Sequence, residues 1–335
     1  MDAIPSTRSD DNAPVGGALV PDKDFWLTDG NVVLICESVG YRVHQSILSR
    51  HSNVFKDMFA VGTAEGEETF EGCVTLRLHD SPEDFAFLLK ALYDLRYPPY
   101  GTKISLSRLR RLLLLANKYL LEELRSQIIE HLRVLFPSKR SGLTSMPRAL
   151  VNPDDFSPLL GIQIGQESNV PAIIPSAFLC AATYGVSEIL GSNTREDQDV
   201  SFQARQACLK FKETLLEIAD KEICEPLIWK NGELLYCDDT EPCEGFPPQA
   251  LHDFGAIYTR NTNGIFYIKF RELIRQKYAE KDALVCERCW ARAEVVEEKI
   301  RDQIWEAVPV SCGFKDWAAV EEAQTRTNED GMSES

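Results

Sequence analysis

Apolar and polar positions along the first 136 residues follow two rhythms, one of period two and one of three to four. Asn31-Val-Val-Leu-Ile-Cys36 is a continuous apolar run behind Asp29-Gly30, which predicts a turn and then a buried strand. Gly40-Tyr-Arg-Val-His44 alternates, placing Tyr41 and Val43 on one face of a half-buried strand. A short helix follows from His44 to Ser49. Ser52 then suits the N-cap of a second helix whose stripe is Val54, Phe55, Met58 and Phe59. Residues 60–73, rich in Gly and Glu, read as a loop, and Val74, Leu76 and Leu78 alternate as a further strand. Asp80 or Ser81, then Pro82, Glu83 and Asp84, mark a helix start, since acids suit the positive end of the helix dipole. Phe85, Leu88, Leu89 and Leu92 give that helix its apolar side. Pro98-Pro99 stops it, and two more helices run from about Ser105 to Asn117 and from about Leu121 to Phe136.

The remainder has the helical period almost throughout. Helices are predicted over Leu159–Ser168, from Pro171 with Ile174, Phe178 and Ala181 inward, and over Val200–Glu225 with Phe202, Leu209, Ile218 and Ile223 buried. Two more are predicted over Ile265–Lys277 and, as the last, over Leu284–Val308. The resulting layout is a disordered tail at 1–23, an α+β domain (a short sheet flanked by helices) at 24–136, a linker at 137–153, a mainly α-helical C-terminal domain at 154–318 and a disordered acidic tail at 319–335.

Charge narrows the function classes. The chain of 335 residues carries a formal net charge of -16. A surface that acidic repels phosphate backbones, which argues against direct nucleic-acid binding. Arg108, Arg110 and Arg111 fit the solvated face of a helix. The longest apolar stretch, Ala177 to Ala182, is far too short to span a membrane. Met1 to Pro21 lacks the basic start and apolar middle of a secretory signal, so the expected location is intracellular, cytoplasmic and/or nuclear. In such a reducing compartment the ten cysteines act as small hydrophobes or metal ligands rather than disulfides.

Candidate chemistry is sparse. His44 lies in no nucleophile motif and reads as structural. Cys286-x-x-Cys289 has metal-like spacing, and Cys237 and Cys243 are the partners best placed to complete a tetrahedral zinc site. The sequence favours plain packing of these thiols and leaves zinc as the alternative. A redox role is weaker, because no thioredoxin-like strand precedes the pair. Asp238, Asp239 and Glu241, like Glu65, Glu67 and Glu68, read as solvated acidic loops, not acid–base pairs. Trp26, Trp229, Trp290, Trp305 and Trp317 read as packing residues. Gly62, Gly66 and Gly72 form no phosphate-binding fingerprint. No catalytic residue and no cofactor is assigned, and the chain reads as non-enzymatic.

The strand Asn31–Cys36, Tyr41-Arg-Val-His44 with Ile47-Leu48, then Ser52, Val54-Phe55, Met58-Phe59 and the later Ala116-Asn-Lys-Tyr-Leu-Leu-Glu-Glu-Leu124 together resemble the BTB/POZ domain. Asn169-Val-Pro-Ala-Ile-Ile-Pro-Ser-Ala-Phe178, Cys286-Glu-Arg-Cys289 and Ile304-Trp-Glu-Ala-Val-Pro309 look like the helical tail of a mostly uncharacterised, mushroom-type fungal BTB family. The resemblance implies a protein–protein interaction module or adaptor, with a second copy (a homodimer) or a cullin ubiquitin-ligase scaffold as partner. A transcriptional co-regulator acting through recruited proteins is the other reading. Two departures stand out. Residues 1–20 offer little apolar material for an exchanged strand beyond Ala18-Leu19-Val20, and Ala60 to Phe70 lacks the apolar-x-Glu signature of cullin binders.

Overall fold

The computed structural model describes residues 19–61, 69–94, 104–144, 156–191, 196–230, 234, 237, 243, 245–259, 269–277 and 285–333. The chain divides into two compact units, 1–97 and 98–335.

The first unit is built on a five-stranded sheet. Its strands are β1 (Val20–Trp26), β2 (Val32–Cys36), β3 (Val39–Val43), β4 (Thr69–Phe70) and β5 (Cys73–Leu78), in the order β1-β3-β2-β5-β4. The continuous apolar run becomes the central strand, and all five residues of β2 are buried. It pairs antiparallel with β3 and parallel with β5. Three helices follow the strands: α1 (Gln45–His51), α2 (Asn53–Val61) and α3 (Pro82–Tyr93). The caps fall where the sequence placed them. Ser52 Oγ accepts from Phe55 N–H at 3.0 Å, and Ser81 Oγ accepts from Asp84 N–H at 3.2 Å. An aromatic cluster joins sheet and helices. Tyr41 meets Phe85 edge-on with ring centroids 5.3 Å apart, and its hydroxyl donates to the Pro82 carbonyl at 2.7 Å. Phe55 lies against both Phe59 and Phe85.

Two strands differ from expectation. Residues 20–23, assigned to the tail, belong to β1, which runs parallel to β3 from Val20↔Val39. Pro21, Asp22, Lys23 and Asp24 hide this strand from pattern analysis because an edge strand has few inward positions. β4 sits within a segment read as loop. It closes a hairpin with β5 through Glu71-Gly72, both at positive φ (50° and 78°), the backbone of a type I′ turn.

The second unit is helical. It contains α4 (Leu106–Lys118), α5 (Glu122–Leu135), α6 (Arg140–Thr144), α7 (Pro158–Glu167), α8 (Ile174–Ala182, entered through a 3-10 turn, Pro171–Ile173) and α9 (Val186–Leu190). α10 (Phe202–Ile218) continues as a π-helical segment, Ala219–Lys230. Then come α11 (Pro248–Thr259), α12 (Phe270–Lys277), α13 (Glu287–Ser311) and α14 (Trp317–Ser333). α7 and α8 form its centre and are buried on nearly every side.

Here too the structure corrects particular expectations. Phe202 is 69% exposed. Ser201 caps α10 by accepting from Ala204 N–H, and the inward stripe is Ala204, Arg205, Cys208, Phe211 and Leu215. Leu209 and Ile218 are only half-buried, whereas Ile223 is buried. The helix over 287–311 is not the last. Residues 319–333, expected to be disordered, belong to α14, where Val320 is buried, Glu321 pairs with Arg133 at 2.9 Å and Gln324 accepts from Ala172 N–H.

Burial also sets a pH response in α5. The His131 ring is desolvated, which holds its pKa below the ordinary value of 6.5, and its Nε2 has no partner among the described residues. The unfolded chain therefore takes up this proton first, so stability is full above about pH 6.5 and falls as the pH drops toward the folded-state value. His131→Leu is expected to flatten that part of the stability curve, as read by urea denaturation over a pH series. An unchanged slope contradicts the assignment.

Candidate functional site

Two places concentrate unusual side chains. The first is the helical face of the first unit. His44 stands at the corner between β3 and α1, held from two sides. Its backbone N–H donates to the Tyr93 hydroxyl at 2.9 Å, its Nδ1 lies 3.2 Å from the same oxygen, and its Nε2 lies 3.3 Å from Asp29. The Asp29 carboxyl is held below the usual carboxylate range by its own backbone hydrogen bond and then by His44. Tyr93 and Asp29 thus hold the ring at the corner from both of its nitrogens. From that corner α1 and α2 present Arg50, His51, Lys56 and Asp57 to solvent, and Val61 is 77% exposed at the end of α2.

The second place is a cluster of four thiols in the helical unit. Cys286 is the N-cap residue of α13 and Cys289 lies in its first turn. Cys237 and Cys243 precede α11. The four sulfurs all lie within 4.8 Å of one another. Cys237 Sγ is 3.7 Å from Cys286 Sγ, and Cys243 Sγ is 3.8 Å from Cys289 Sγ. These are not disulfide lengths, which are about 2.05 Å. Cys286 N–H donates to Cys243 Sγ at 3.2 Å, and the Arg292 guanidinium donates to Cys289 Sγ at 3.3 Å. Desolvation works against the Cys243 thiolate, but backbone donation from Cys286 and Gly245 brings the thiol down to about 7. Burial, reinforced by the neighbouring sulfurs, pushes Cys289 up to about 12. Beside the cluster, Phe246 meets Trp290 edge-on at 4.9 Å, and Phe270 packs on Phe246 and Phe254. The packing reading fits Cys289, which is buried; the other three are part-exposed and converge on it.

An open cleft in the helical unit is lined by Glu217, Asp220, Lys221, Cys224, Trp229 and His252. Glu217 is tied to Lys221 at 2.6 Å. Burial pushes the Cys224 thiol up to about 12, and no hydrogen bond joins it to His252 among the described residues. A thiol so hard to ionise is a poor nucleophile.

The profile of the BTB/POZ domain matches residues 27–136. That stretch is a BTB/POZ domain. BTB/POZ is an interaction domain, and this supports a protein–protein interaction adaptor role. No curated protein matches the chain. No helix among the described residues is long and apolar enough to cross a membrane.

The BTB/POZ match runs past the first compact unit, and its last two helices, α4 and α5, belong to the second. There they are fastened to the helices that follow. Arg110, read as a solvated residue, grips the Glu167 carboxylate at the end of α7 with two donors, one of them at 2.9 Å. Hydrogen bonding to Glu167 raises its pKa further. Arg125 donates to Asn117, Asn328 and the carbonyl of Asn169. Gly161 of α7 lies so close under the Phe136 ring that any Cβ would strike it. The ties from Arg125 to Asn169 and Asn328 are not legible in the sequence, since residues 44 and 203 positions apart meet only through the fold.

Of the tryptophans, Trp290 and Trp305 are buried, and Trp317 stacks on Trp305 at 4.4 Å. Trp26 packs against the sheet core, while Trp229 is exposed. Gly72 serves the β4–β5 turn. Asp238, Asp239, Glu241, Glu65, Glu67, Glu68, Gly62 and Gly66 lie outside the described residues.

Proposed function

We propose that the chain is an adaptor that binds a different protein through α1–α2 of its BTB/POZ domain, with a cullin-type scaffold as the partner class, and presents a second protein on its helical unit. The BTB/POZ match carries the interaction role. The likeness of Asn169–Phe178, Cys286–Cys289 and Ile304–Pro309 to a fungal BTB family supports reading the helical unit as that family's tail.

The sheet edges favour docking on the helices over strand exchange. β1 carries Pro21 and three charged residues, and β4 is two residues long, so neither edge offers a clean ladder to an incoming strand. Charge favours an unlike partner. Two copies of a chain at -16 repel each other at long range, whereas Arg50 and Lys56 face solvent against a single acid, Asp57, on α1–α2. That face suits an acidic segment of another protein. The role rests on contact, not catalysis, and a co-regulator role would use the same surface with a different recruit.

Light scattering on the purified full chain, followed by titration with a cullin N-terminal domain, tests this reading. The expected result is a monomer that binds in the micromolar range or tighter. A stable dimer through α1–α2, or no cullin binding, overturns the partner assignment.

A further inference from the structure

We infer that Cys237, Cys243, Cys286 and Cys289 form a structural zinc site that clamps the chain ahead of α11 to the first turn of α13. A zinc–thiolate bond of about 2.3 Å in a tetrahedron places its sulfurs about 3.8 Å apart. Two cross-pairs stand at 3.7 and 3.8 Å, and no sulfur pair exceeds 4.8 Å. Two thiols brought together by chance can touch at such a distance. Four sulfurs, drawn from two segments 46 to 49 positions apart, define a closed polyhedron around one point.

The surroundings suit thiolates. Four thiolates around one dication leave an excess of negative charge, which needs donors nearby. Cys286 N–H and the Arg292 guanidinium already point at sulfur, the arrangement by which outer groups orient and tune metal ligands. Cys286 and Cys289 also sit at the N-terminus of the 25-residue helix α13, where the helix dipole favours anions. All four ligands come from the protein, so no coordination position remains for water or substrate, and the site is structural rather than catalytic. Tetrahedral sulfur ligation selects zinc or iron. An iron–sulfur cluster would hold its four cysteines farther apart than these sulfurs stand, so a single ion fits.

The consequence is local folding energy. The clamp lies beside the Phe246, Phe270 and Trp290 cluster and fastens both ends of the stretch from α11 to α13. Removing the ion is expected to loosen that stretch, because metal-binding free energy in such sites is folding free energy.

The test uses the full chain purified under reducing conditions. Elemental analysis is expected to find one zinc per chain. Cys286→Ser/Cys289→Ser is expected to lose it, and Cys312→Ser, outside the cluster, to keep it. Since the double variant can fail to fold, cobalt titration of the chelator-stripped wild type supplies a second readout, a one-to-one tetrathiolate absorption spectrum. A reduced, folded chain without zinc and with no such spectrum overturns the proposal, as does stoichiometric iron or an intact mass showing Cys237–Cys286 or Cys243–Cys289 disulfides. Partner binding does not enter these readouts, so this proposal and the adaptor reading fail or stand separately.

Discussion

Phe85→Ala is expected to destabilise the first unit by about 3–5 kcal/mol, the usual cost of truncating a fully buried phenylalanine. The ring has no solvent exposure and joins three elements: its own helix α3, Tyr41 of β3 at 5.3 Å and Phe55 of α2 at 6.5 Å. Tyr41 cannot swing into the cavity without giving up its hydrogen bond to the Pro82 carbonyl. The cavity therefore stays open and the full penalty applies. Phe202→Ala provides the contrast. That ring is 69% exposed, and its loss should change stability by no more than about 0.5 kcal/mol. Urea denaturation of both variants decides the matter. Similar losses for the two would show that the aromatic cluster is not what holds sheet and helices together.

Arg301→Met is expected to cost the helical unit about 3–5 kcal/mol, because it strands a buried carboxylate. Arg301 and Glu297 are 8% and 6% exposed, one helical turn apart on α13, and bonded at 2.7 Å. Glu297 also accepts from the backbone N–H of Phe270, the first residue of α12. Without the guanidinium, that buried carboxylate loses its charged partner. The double variant Glu297→Gln/Arg301→Met should recover most of the loss, since its amide oxygen still accepts from Phe270 and no charge is buried. If the double variant is as unstable as the single one, packing of the arginine stem, and not its charge, is what matters here.

What could be read from the sequence depended on whether an element declares itself locally. The caps at Ser52 and Ser81 and the apolar run of β2 are local, and each lies where the pattern placed it. β1 is legible only from its neighbour, because an edge strand with Pro21 and three charges reads as tail until β3 pairs with it. In α10 the inward stripe is Ala204, Arg205, Cys208, Phe211 and Leu215, not Phe202 and Leu209. Arg205 takes an inward position that a hydrophobicity scale denies it, and earns burial by donating to the carbonyls of Ile189, Gly191 and Asp197. Beyond α10, Pro226 would ordinarily end a helix, yet the wider π-helical hydrogen bonding carries the chain through it to Lys230. The acidic end of the chain looked unable to order because its partners, Arg133 and Arg125, lie far back in sequence.

The candidate sites follow the same rule. The BTB/POZ signature is a run of neighbouring residues, so its interaction role was visible at once. The four cysteines were visible as two spaced pairs, but their convergence is a property of the fold. For the same reason the sequence could not show that α4 and α5 are fastened to the tail through Arg110 and Arg125.

The proposed adaptor role stands or falls with the exposed face of α1–α2 as the docking surface. Affinity of the full chain for a cullin N-terminal domain, compared between wild type and Arg50→Glu/Lys56→Glu, measures it directly. Both side chains are exposed, so the melting temperature should hold. A loss of affinity of at least about tenfold, equal to about 1.4 kcal/mol, is expected. Equal affinity for the two chains, with the fold intact in both, would contradict it.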